Sequence, residues 1–191
     1  MMAYARALPA VALVALLAGC ALPHPAGPVH VPAAGSTATT DPREGPVHVD
    51  PVVTCQAADL GISLGTPDHE ASTEHLPIVF TNRGGGTCTL TGWPRVSVIT
   101  VFNQTLVGPE ARPLGTASPA VVLGVNGTAI ADLQSVILDS GGGPLGSRCL
   151  VATGNGYLVN PPGSSVSVVV PAAGTVYGCL DYTWMNITVV H

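Results

Sequence analysis

The densest set of chemically capable side chains in this sequence runs from Asp68 to His75. Asp68, His69, Glu70, Glu74 and His75 place two imidazoles and three carboxylates on one short stretch. Imidazole nitrogens and carboxylate oxygens are the ligands of zinc and related divalent ions, so this stretch could hold a metal. A solvated loop from Gly65 to Glu74, joining two strands, accounts for the same residues and is the preferred reading. His69, His75, Asp68 and Glu70 stand behind it as metal candidates. Other chemistry is thinly represented. There is no His-x-His pair of the kind a copper dismutase needs and no Gly-x-Ser-x-Gly nucleophile elbow. Ser140-Gly141-Gly142-Gly143 and Gly154-Asn155-Gly156 lead from no strand into a helix, so they read as loops rather than phosphate cradles. His24, His30 and His48 are too widely spaced to preorganise a coordination shell.

Five cysteines remain, and they divide by position. Cys20 ends Leu17-Ala18-Gly19-Cys20, directly after the apolar run Leu8 to Ala18, with Arg6 supplying a positive start. Eleven apolar residues are too few to cross a bilayer, which takes roughly 20. The segment reads as a secretory signal closed by a bacterial lipobox. Processing would remove residues 1–19 and leave a diacylglyceryl thioether on Cys20. The other four are Cys55, Cys88, Cys149 and Cys179, an even number that favours disulfides in an exported chain. Four cysteines allow three connectivities. Cys55–Cys88 with Cys149–Cys179 is favoured, because each bridge then ties neighbouring segments in one half of the chain. No Cys-x-x-Cys pair supports zinc instead.

Composition narrows the function classes. Only 9% of the 191 residues are charged, against 47% apolar, which argues against disorder of the whole chain. The six basic residues are all Arg, so no polybasic patch exists to hold nucleic acid. Loss of residues 1–19 would take Arg6 away and leave five Arg against 11 carboxylates. Such an acidic chain gains no attraction to anionic headgroups, so the lipid alone would hold it at the membrane.

Residues 20–52 form a Pro/Ala/Gly/Thr-rich linker behind the lipidated Cys20. It contains a small repeat, Gly27-Pro28-Val29-His30-Val31 and Gly45-Pro46-Val47-His48-Val49. Ser36, Thr37, Thr39 and Thr40 would permit O-linked sugar. From residue 53 to 191 short Val/Leu/Ile/Thr segments alternate with Gly, Pro and Asn. Strands are expected at Leu60 to Leu64, Leu76 to Asn82, Arg95 to Val101, Thr105 to Val107, Ala120 to Leu123 and Thr128 to Leu133. Three more are expected at Tyr157 to Val159, Ser165 to Val170 and Tyr182 to Val190. No capped helical stripe interrupts them. Seven to nine short strands predict an antiparallel, immunoglobulin-like β-sandwich, with a closed barrel as the competing architecture. Trp93 and Trp184 are expected in the core rather than as ligand platforms. The sequons at Asn103, Asn126 and Asn186 are taken as coincidental.

A set of short motifs carries a family likeness. Cys55 is followed by Leu60-Gly61-Ile62, then Phe80-Thr81-Asn82-Arg83-Gly84, then Cys88-Thr89-Leu90-Thr91-Gly92-Trp93-Pro94. Leu123-Gly124-Val125-Asn126-Gly127-Thr128-Ala129 comes next, with Val125-Asn126 where Pro-Gly or a similar pair is usual. Cys149, Leu158-Val159-Asn160-Pro161-Pro162-Gly163 and Cys179 complete it. This pattern resembles the bacterial family called domain of unknown function 4232, over about 140 residues. Members are common in envelope proteins and lipoproteins of high-GC Gram-positive bacteria. The resemblance implies a β-sandwich with two disulfides and implies no catalytic residue or cofactor. The expectation is therefore a noncatalytic lipoprotein on the outer face of the cytoplasmic membrane. It would be anchored through Cys20 and would bind an envelope protein, a glycan or a lipid. A metal-binding or enzymatic role at Asp68–His75 and a lipid or small-molecule carrier are the alternatives.

Overall fold

A computed structural model describes residues 53–191. The expected signal sequence (residues 1–19), Cys20, the expected linker and His24, His30 and His48 lie outside the described residues. Thirteen strands follow in chain order. All nine expected elements are among them. The other four are two- or three-residue pieces with too little sequence for a period to show: β1 (Val53–Thr54), β3 (Asp68–Glu70), β5 (Cys88–Leu90) and β8 (Arg112–Leu114). The only helical pieces described are single 3-10 stretches at Ala57–Asp59 and Gly143–Arg148.

The largest sheet is six-stranded. It orders β2 (Leu60–Leu64), β4 (Thr73–Asn82), β10 (Thr128–Val136), β13 (Met185–Thr188) and β8, with β3 paired to the start of β4. The second has four strands: β12 (Val168–Cys179), β11 (Val151–Asn160), β6 (Arg95–Thr100) and β7 (Thr105–Leu106). A small third sheet joins β1, β5 and β9 (Val121–Leu123). All three are open, so the β-sandwich holds and the closed barrel does not. Pairing is antiparallel except for β1 with β5 and β13 with β8, which run parallel.

Alternation explains the layers. Along β4, Leu76, Ile78, Phe80 and Asn82 are buried while the residues between them are half-buried. Along β10, Ala129, Ala131 and Leu133 face the same way. Phe80, one of only two phenylalanines, is fully buried, and burial of such a side chain contributes about 1.5–3 kcal/mol. With few aromatics available, Leu90, Val96, Val98, Leu123 and Val159 fill most of the remaining interior. Both expected disulfides are formed. Cys55–Cys88 has Cα atoms 4.9 Å apart and Cys149–Cys179 has them 5.0 Å apart. The first ties β5 to the residue after β1, and the second joins the entry to β11 with the end of β12.

Three local expectations are corrected. The segment from Gly65 to Glu74 is not a plain loop: β3 folds back on β4 through Ala71, whose φ of 53° gives the tight reversal. Gly154-Asn155-Gly156 lies inside β11. A Cβ on Gly154 would come within 2.6 Å of the Ile99 carbonyl, and one on Gly156 within 2.5 Å of Val101, so neighbouring chain requires glycine there. The strand expected at Ser165 to Val170 begins instead at Val168 and continues to Cys179. Its ladder with β11 is interrupted: Gly154 pairs with Val176 and Gly156 with Pro171. Ala172 to Thr175 therefore face the single residue Asn155 without partners in β11, a wide bulge in an edge strand.

Candidate functional site

Between the six-stranded sheet and the β11–β12 pair lies a cavity of about 680 Å³. That falls inside the range of roughly 300–1,000 Å³ typical of small-molecule sites. The six-stranded sheet contributes Ile62, Leu64, Leu76 and Met185, and the opposite sheet contributes Tyr157 and Val170. The bulge from Ala172 to Thr175 also forms part of the lining, as does Trp184. The walls are thus mainly aliphatic, because the alternation that builds the core continues to the open edge of the sandwich.

Ser63, Ser135, Thr175 and Tyr177 add hydroxyls to this lining, and two further polar groups, Glu74 and Tyr157, stand out in it. Glu74 sits on β4 in phase with Leu76, Ile78 and Phe80, so its carboxylate belongs to the inner face. Its Oε2 is 3.1 Å from His69 Nε2, and Oε1 has no hydrogen bond among the described residues. Tyr157, only 5% exposed, stands in phase with Val159 on β11. Its hydroxyl has no hydrogen-bond partner among the described residues, yet no buried side-chain N or O atom is left orphaned. The hydroxyl is therefore accessible through the cavity it lines. Burial, reinforced by the Glu74 charge, raises its pKa well above the ordinary tyrosine value, so it stays protonated and can donate.

The pattern between Asp68 and His75 comes apart in space. His69 lies opposite Glu74 in the β3–β4 ladder, whereas His75 lies opposite Asp68. Adjacent strand residues face opposite sides, so the two imidazoles serve different faces. On the outer face His75 Nδ1 is 2.8 Å from Asp132 Oδ2, which also accepts from Gln134 Nε2 at 3.2 Å. The hydrogen bond to Asp132 raises the His75 pKa, with the charges of Asp132, Glu70 and Asp68 adding to it. Asp68 accepts from the His69 backbone N–H at 2.8 Å, and Glu70 is exposed. No group of three or more potential metal ligands comes together among the described residues.

Other singled-out residues have structural duties. Trp184 is buried against Gly178 as well as lining the cavity. Trp93, expected in the core, is instead half-buried at its edge, and its indole N–H donates to the Leu114 carbonyl at 2.9 Å. In the Gly141–Gly143 turn the backbone N–H groups of Gly141 and Gly143 donate to Asp139 at 2.7 and 2.9 Å. Those bonds hold the Asp139 carboxyl below its ordinary pKa and occupy the donors an anion would need. His191 pairs by its backbone with Ile130. Asn103, Asn126 and Asn186 are exposed.

Asp132 and Tyr157 carry no motif and escape sequence reading. Glu74 was legible in principle, since counting back by twos from Phe80 puts it on the buried face. Fold and site together define an all-β sandwich, closed by two disulfides and open at one edge to an aliphatic cavity. The chain belongs to the family described as Domain of unknown function (DUF4232), whose model matches residues 55–190. No curated protein and no solved structure matches it.

Proposed function

We propose that this chain is a lipid-anchored protein of the bacterial cell envelope that binds rather than catalyses, holding a small apolar molecule between its sheets. The observation that carries the reading is the cavity of about 680 Å³ with mainly aliphatic walls, one carboxylate and several hydroxyls. The lipobox at Leu17 to Cys20 supports the anchor, and the linker to residue 52 would let the domain reach away from the membrane. The titratable groups of the β3–β4 hairpin form separate pairs, His69 with Glu74 and His75 with Asp132, on different faces. That arrangement favours a carrier over a metal centre at Asp68–His75.

Native mass spectrometry of the full-length protein extracted from its own envelope tests the reading. The expected species lacks residues 1–19, carries acyl groups on Cys20 and holds a noncovalent small-molecule adduct. An acylated protein that never carries such an adduct would transfer the role to a protein or glycan partner. Recovery with an unmodified Cys20 would remove the anchor.

A further inference from the structure

The cavity has a charge pattern that discriminates among amphiphiles, and the inference from it rests on the carrier reading above. Its walls contain no Arg, and the chain has no Lys. Of the described arginines, Arg95 is paired with Glu110 at 2.9 Å, and neither Arg83, Arg112 nor Arg148 reaches the lining. The one ionisable acid in the lining is Glu74, whose Oε1 is free of protein donors among the described residues. The second polar group is the Tyr157 hydroxyl, a side chain more than nine-tenths buried with its oxygen open to the cavity. A ligand polar end placed here meets one carboxylate and only hydroxyls besides: Tyr157, Ser135 directly opposite Glu74 in the β4–β10 ladder, and Ser63, Thr175 and Tyr177 in the lining.

We propose that the cavity selects amphiphiles with an aliphatic body and a hydrogen-bond-donating head, a hydroxyl or an ammonium, and rejects carboxylate and phosphate heads. A hydroxyl head donates to Glu74 Oε1 and accepts from Tyr157. An ammonium donates to both and gains the attraction of the carboxylate. An anionic head accepts from Tyr157 but is left beside a like charge, in an apolar site with no cation to offset its desolvation. His69 is the nearest counter-charge to Glu74, but it holds Oε2 from outside the lining and does not face a ligand there.

The test uses the full-length protein in lipid nanodiscs, with empty nanodiscs as the reference for partition into lipid. Titration calorimetry with 1-octanol, octylamine and octanoate compares heads on one alkyl chain. The alcohol and the amine are expected to bind, and octanoate at least about tenfold more weakly, the equivalent of one unfavourable interaction of about 1.4 kcal/mol. An amine tighter than the alcohol assigns the ionic contribution of Glu74, and equal affinities assign hydrogen bonding alone. Glu74→Gln should bring octanoate close to octanol, and Tyr157→Phe should weaken octanol without disturbing the fold. Octanoate bound as tightly as octanol by the unaltered protein overturns the head selection and leaves the carrier reading standing. Binding of none of the three overturns both.

Discussion

The Asn82 side chain donates to the main-chain carbonyl of Leu123 at 3.0 Å, joining the end of β4 to the end of β9 across 41 residues of sequence. The same amide nitrogen reaches the Gly86 carbonyl at 2.8 Å, while Oδ1 accepts from the Gly84 N–H at 2.9 Å. Backbone bonds from Asn82 to Gly127 and from Asn126 to Asn82 close the junction. Asn126, at φ 63°, supplies the left-handed turn that asparagine tolerates better than most residues. One buried amide thus explains why Phe80-Thr81-Asn82-Arg83-Gly84 and Leu123-Gly124-Val125-Asn126-Gly127 belong together.

Asn82→Leu should therefore destabilise the protein by about 1–3 kcal/mol, since it orphans the buried Leu123 carbonyl and removes the acceptor of the half-buried Gly84 N–H. Urea unfolding of the oxidised protein measures it. A loss under about 0.5 kcal/mol, the scale of an ordinary surface substitution, would show that water replaces the amide without penalty.

Gly178 lies under Trp184, where an added Cβ would approach the indole ring to 2.7 Å. Gly178→Ala should cost about 1–3 kcal/mol through overpacking. Combining it with Trp184→Phe should cost less than the two single changes added together, because the smaller ring vacates the contested space. Strict additivity in thermal unfolding would place the clash elsewhere.

His75 should titrate above its ordinary value of about 6.5, and Asp132→Asn should bring the midpoint back toward it. The sign follows from linkage. A pKa raised in the folded state contributes stability that is fully present below the unfolded value and is lost as pH rises through the folded one. Imidazole proton shifts followed by NMR give the midpoint directly, and a midpoint at or below the ordinary value would remove the Asp132 contact from solution.

Each disulfide closes a loop of similar length, with sequence separations of 33 and 30. Replacing either pair by alanines should cost roughly 3–4 kcal/mol in the chain-entropy picture. Comparable losses from the two double variants are expected in denaturant titrations. A loss confined to one pair would mean that the other loop is already restrained in the unfolded chain.

The strands that were legible in the sequence are those where branched aliphatics alternate without interruption, such as Leu76 to Asn82 and Thr128 to Leu133. The hidden parts follow from what glycine and polar residues usually signal. Gly154 and Gly156 look like turn residues, and only the packing of Ile99, Val101 and Val170 around them shows why a strand needs them. Asp68-His69-Glu70 has little strand propensity, yet its backbone pairs because Thr73 to His75 offer a free ladder edge. The connectivity of the cysteines was readable because each bridge stays within one half of the chain: β11 and β12 are consecutive, and β1 returns to pair with β5 across the β2–β4 segment. The cavity was not, since it depends on how far β12 departs from β11.

That departure separates two kinds of evolutionary constraint. Ala172 to Thr175 help enclose the cavity while holding no partner in β11. Exchange or insertion of residues there is expected to leave the register of Thr153 with Tyr177 and of Tyr157 with Val170 unchanged, since both pairs lie outside the bulge. Lengthening such a segment is inexpensive, on the order of 0.6 kcal/mol for each doubling of a flexible loop. What the cavity accommodates is thus set in part by four residues that can be rewritten without touching the disulfides, the Asn82 junction or the strand ladders.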